Sequence, residues 1–177
     1  MAKLPHTLTL MRLPCLFLCF ILTLSIHRAS AQTYLLPNEE LLYSFETAKG
    51  KKVMLAKDKA NAYIIYRFGT KDKIEFEYPD KTKDSWSKFT YTFYFRGGGA
   101  DNEGLDLNYV SFTNKGFQYI IYDTYSAVEN KTSFGIKVIN LSKEKTTNIP
   151  GLPKTQKGTL IDFKENGLLK VGDELFD

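Results

Sequence analysis

The sequence predicts an all-β protein: a single antiparallel sandwich or small barrel of about eight or nine strands over residues 32–177, preceded by a signal peptide over residues 1–31. Three observations predict it. Short runs alternate apolar and polar residues with a period of two. Turn-forming clusters of Gly, Asn, Asp and Lys separate these runs at regular spacing. No segment of useful length carries the 3.6-residue helical period. The 13 Phe and 11 Tyr supply bulk for a core that must stand on packing.

The elements follow in order. Tyr43–Phe45 and Val53–Leu55 flank Ala48-Lys49-Gly50-Lys51, a first hairpin. Asp58–Asn61 is a polar turn, Ala62–Phe68 a strand rich in Tyr and Ile, and Gly69–Asp72 its closing turn. In Lys73–Tyr78 the alternation puts Ile74, Phe76 and Tyr78 on one face and Lys73, Glu75 and Glu77 on a solvated one. Pro79–Ser87 is a polar loop that carries Trp86. Lys88–Arg96 aligns Phe89, Tyr91, Phe93 and Phe95 against Thr90, Thr92, Tyr94 and Arg96. A Gly-rich loop runs from Gly97 to about Asp106. Tyr109–Thr113 and Phe117–Tyr125 form a hairpin around Asn114-Lys115-Gly116. Phe117–Tyr125 is apolar on both sides and is expected to be central. Ser133–Leu141 is a further strand, Pro150–Pro153 a loop, Gly158–Phe163 a last strand, and Leu168–Phe176 a tail.

The leader is read from Lys3 and Arg12, the apolar run Leu13–Ile26, and the small-x-small pattern Ala29-Ser30-Ala31, which places the cut before Gln32. The run is shorter than the roughly 20 residues that span a bilayer, so no stable membrane anchor is expected after cleavage. A periplasmic or secreted location follows. The leader holds Lys3, Arg12 and Arg28 and no acid, so its removal leaves a nearly neutral domain. No basic tract is left for nucleic acid.

All the histidines and cysteines, His6, His27, Cys15 and Cys19, belong to the leader. The mature chain is expected to lack disulfides, and it has no Ser-His-Asp or Cys-His nucleophile and no thiolate or imidazole metal ligand. No cofactor and no metal are expected. What remains is carboxylate chemistry, Ser-Lys chemistry, or binding.

Among candidate sites the loop Arg96–Asp106 stands out, because glycines let the backbone approach a partner and turn its amides outward. Gly97, Gly98 and Gly99 with Arg96 offer an anion or carboxylate seat, and Asp101, Asn102, Glu103 and Asp106 offer calcium ligands. Trp86 and Tyr94 add aromatic contact area. The predicted contact surface is therefore Trp86, Tyr94, Arg96, Gly97, Gly98, Gly99, Asp101, Glu103 and Asp106. Asn130-Lys131-Thr132 and Asn140-Leu141-Ser142 are sequons for a eukaryotic host.

Through Tyr66-Arg67-Phe68-Gly69, Glu77-Tyr78-Pro79 and Phe95-Arg96-Gly97-Gly98-Gly99 the chain resembles a group of small exported bacterial β-rich proteins of unassigned function. In size, export signal and β meander it is also similar to periplasmic lysozyme inhibitors, which usually carry the disulfides this chain lacks. The resemblance implies export and one β domain.

The first functional expectation is an exported, non-enzymatic binding protein whose partner is a protein or glycan of the cell envelope, such as an inhibitor or immunity-type partner of a cell-envelope enzyme. The second is a carbohydrate- or ligand-binding β domain. A third, a small carboxylate-dependent glycosidase or a lyase using carboxylates or tyrosine, requires two acids, or a Tyr and an Arg, facing each other in a cleft.

Overall fold

The computed structural model describes Met1 and residues 34–176. The leader, its cysteines and histidines, and the cut before Gln32 lie outside the described residues. Two sheets face each other. The first is a meander of β1 (Glu39–Glu46), β2 (Lys51–Asp58), β3 (Ile64–Thr70) and β4 (Lys73–Tyr78). The second is a meander of β5 (Thr90–Arg96), β6 (Leu105–Asn114), β7 (Phe117–Ser126), β8 (Lys131–Asn140) and β9 (Lys145–Pro150). The chain after β9 then adds to both. Strand β10 (Lys157–Gly158) pairs antiparallel with β1, helix α1 (Phe163–Asn166) follows, and β11 (Lys170–Val171) pairs parallel with β5. The orders are β10-β1-β2-β3-β4 and β11-β5-β6-β7-β8-β9. The sheets remain open, so the sandwich is realised and the barrel is not. Among the described residues no helix is long and apolar enough to cross a membrane.

The core is aromatic. Phe112 stacks on Tyr78 across the two sheets, with centroids 4.9 Å apart, and on its neighbour Tyr119 at 4.8 Å. Tyr66, Phe76 and Phe89 close around them. Offset and edge contacts of this kind add to plain area burial. Leu160, Phe163 and Leu169 of the C-terminal segment complete the same cluster.

The predicted hairpins form. Lys115 and Gly116 both take positive φ, 47° and 79°, as a two-residue hairpin turn requires. Strand β7 is central, as its two apolar sides predict.

Three expectations are corrected. Ile74 does not share a face with Phe76 and Tyr78. Phe68 pairs with Phe76 but Gly69 pairs with Ile74, so Glu75 is an extra residue in a bulge. Ile74 thereby turns to the outer face of the first sheet, beside Tyr34, Met54 and Ile65. Gly69 permits this, since a Cβ there would run into the Lys73 carbonyl and lie 2.7 Å from the Glu75 nitrogen. Second, Gly158–Phe163 is not a strand beyond Gly158: the chain turns so that Leu160 and Phe163, three residues apart, both enter the core. Third, Lys145–Pro150 is an edge strand, although it ends in the proline that marks a loop in the sequence.

Candidate ligand groove

Strand β6 reverses the polarity expected of a sandwich strand. Its inner face begins in the core with Phe112 and Val110 and then turns polar at Asn108 and Asp106. Its outer face carries Leu105, Leu107 and Tyr109. On β7 the partners follow suit: Tyr109 pairs with Tyr122 and Leu107 with Thr124 on the outside, while Asn108 pairs with Asp123 on the inside. The register runs without a bulge from Leu105 to Asn114, so the reversal belongs to the sequence and not to a twist of the strand.

On the outside this produces a groove of about 630 Å³ across the six-stranded sheet. Leu105, Leu107, Tyr109 and Tyr122 form its floor, Thr124 and Ser133 continue it, and Lys137, Asn148 and Phe176 wall it. Tyr122 is laid flat by Gly135, its cross-strand partner: a Cβ at residue 135 would lie 2.5 Å from the Tyr122 hydroxyl. The ring then reaches β9, where its hydroxyl donates to Asn148 Oδ1 at 3.1 Å. Burial pushes the Tyr122 phenol up, so it stays protonated and able to donate at neutral pH. The end of the chain closes one side. Phe176 packs edge-on against Tyr109, with centroids 5.4 Å apart, and its carbonyl accepts from Lys137 Nζ at 3.0 Å.

On the inside the same reversal makes a recess of about 210 Å³ lined by Asp106, Asn108, Asp123, Thr132 and Thr159. Its carboxylates are engaged. Asp106 accepts from Asn108, whose own carbonyl accepts from the buried Tyr91 hydroxyl at 2.5 Å. Asp123 accepts from the Gln156 amide at 2.8 Å and from the Leu160 N–H. Burial pushes the Asp123 carboxyl up, and the nearby Asp106 charge adds to it. Asp123 thereby fastens the returning segment 156–160 onto the second sheet.

The sequence-predicted contact residues are brought together only in part. Trp86 sits before β5, in a 3-10 turn (Lys83–Lys88), and donates to the Asn61 carbonyl at 3.1 Å while packing against the core. The glycine loop follows the far end of β5, about 20 Å away along a seven-residue strand. That loop folds on itself. Arg96 donates to the Glu103 carbonyl at 2.9 Å and to its carboxylate at 3.3 Å, Asn102 donates to the Gly97 carbonyl, and Gly104 N–H donates to the Gly99 carbonyl. Gly98 and Gly99 take positive φ within it, and Asp101 is the middle residue of the short 3-10 turn Ala100–Asn102. Asp106 is a β6 residue facing the inner recess, so the acids proposed to collect calcium diverge. Tyr94 and Arg96 do lie on the groove side of the sheet, in register with Leu107 and Leu105.

The groove itself escapes a reading that follows apolar alternation without asking which side is the core. The signal is present as Leu105-Asp106-Leu107-Asn108-Tyr109, whose apolar positions are out of phase with Val110 and Phe112. Comparison with family models, curated proteins and solved structures finds no match to the chain.

Proposed function

We propose that the protein is a non-enzymatic binding protein, acting after export, that holds a small ligand in the outer groove of its six-stranded sheet. The polarity reversal on β6 and β7 carries this reading. Leu105 and Leu107 stay half-exposed on the outside of the sheet, beside Tyr109 and Tyr122, which pack with Phe176, while two aspartates and an asparagine face inward. Local rules are broken where function requires it. The volume falls within the 300–1,000 Å³ typical of small-molecule sites. Ligand binding is preferred to capture of an envelope protein by the Arg96–Asp106 loop, because that loop's polar groups serve its own fold.

Thr124→Trp fills the groove without touching the core. A ligand at 100 times its Kd stabilises a protein by about 2.7 kcal/mol, which for a domain of this size raises Tm by about 5–10 °C. Thermal melts against a panel of small apolar and amphiphilic compounds should show such a rise for the native protein and none for Thr124→Trp. If no compound moves the native Tm, or Thr124→Trp responds equally, the groove is not the site.

A further inference from the structure

Resting on the groove reading, we propose that the ligand is a single-chain amphiphile with an anionic head group, its chain on Leu105 and Leu107 and its head on Lys137. Charge complementarity decides the class. The described lining residues include two amines, Lys131 and Lys137, and no carboxylate. Lys137 projects from β8 on the groove side, paired with Ile120, and is half-buried. Its ammonium lies 6.0 Å from the centre of the Tyr122 ring and, among the described residues, donates one hydrogen bond, to the Phe176 carbonyl. An ammonium has three donors, so it has capacity for an anion. Beside apolar side chains the attraction between them is stronger than in water. A neutral head gains little from this amine and a cationic head is repelled by it. The site suits one molecule, not a bilayer surface, because the apolar floor is recessed between Phe176 and β9.

The probes are decanoate, decanamide and decyltrimethylammonium, each below its micelle concentration and titrated calorimetrically into the protein. Decanoate should bind at least tenfold more tightly than decanamide, and decyltrimethylammonium most weakly. Lys137→Gln should remove the preference for decanoate over decanamide, and Lys137→Arg should restore it. Unchanged thermal midpoints show that the variants fold, and Lys131→Gln, at the exposed amine, should cost less than Lys137→Gln. Equal binding of decanoate and decanamide by the native protein overturns the head-group assignment but leaves the groove standing. So does an unaltered preference in Lys137→Gln, or binding to anionic vesicles in place of monomeric decanoate. Binding of none of the three probes removes the groove reading itself.

Discussion

Arg67 is the residue on which the outer face of the first sheet depends. It is 1% exposed and its charge is fully committed. The guanidinium donates to both Glu39 carboxylate oxygens, at 2.6 and 2.7 Å, to Glu77 at 2.6 Å and to the Tyr34 carbonyl at 2.6 Å. Burial alone would push the Glu39 carboxyl up, but bonds from Arg67, the Leu36 N–H and the Tyr63 hydroxyl outweigh it and hold the carboxyl below its ordinary range. Removing one partner of such a pair leaves a buried charge, which costs about 3–5 kcal/mol. Arg67→Met should lose that much in urea denaturation, and Arg67→Met combined with Glu39→Met should recover part of it; full additivity of the two single losses would contradict the coupling. The pH dependence has a definite sign. A carboxyl with a depressed folded pKa contributes its stability above the unfolded value, about 4.3 for Glu, and loses it as pH falls through the folded value. Native stability should therefore fall on acidification below about pH 4, and by less in the double variant. The sequence marks Arg67 as one residue in a Tyr-Arg-Phe-Gly run. It does not reveal that Glu39, distant along the chain, closes on it, because the pairing needs the segment from Tyr34 to cross the sheet.

At the scale of elements, alternation and turn chemistry make β1 to β8 legible but not β9. That strand is polar because it is an edge with one solvated side, and its last residue, Pro150, is tolerated there. The bulge at Glu75 was hidden because alternation in Lys73–Tyr78 is perfect in the sequence; only the crowding around Gly69 reverses Ile74. Helix α1 was hidden because Gly158–Phe163 is too short to distinguish a turn from a strand. The polarity reversal of β6 was legible in principle, and it is the element that matters most for function. Gly135 belongs to the same element pair. Gly135→Ala should force Tyr122 off Asn148 at a cost of about 1–3 kcal/mol, measured by chemical denaturation, and should also weaken ligand binding in the groove. A variant as stable as the native protein, with Tyr122 undisturbed, would show that the glycine is not what lays the ring flat.

For the whole molecule, the two meanders are joined twice: by the Pro79–Phe89 connection and by the C-terminal segment, which adds a strand to each sheet. The same segment then carries Phe176 across the outer face of the second sheet, where it covers Tyr109 and Ile120 and walls the groove. Composition foretells a sandwich stabilised by aromatic packing over residues 34–176, where no histidine or cysteine occurs, but no sequence pattern announces where the C-terminal segment will lie. Function therefore turns on which surface meets the ligand: the outer groove of β6–β8, or the glycine loop beyond β5. Backbone amide shifts of the isotope-labelled protein, followed as decanoate is added, distinguish them directly. Binding in the groove gives saturable shifts at Leu107, Tyr109, Tyr122 and Lys137, with Gly97–Glu103 unmoved. Shifts confined to Gly97–Glu103, or no saturable shifts at all, would contradict it.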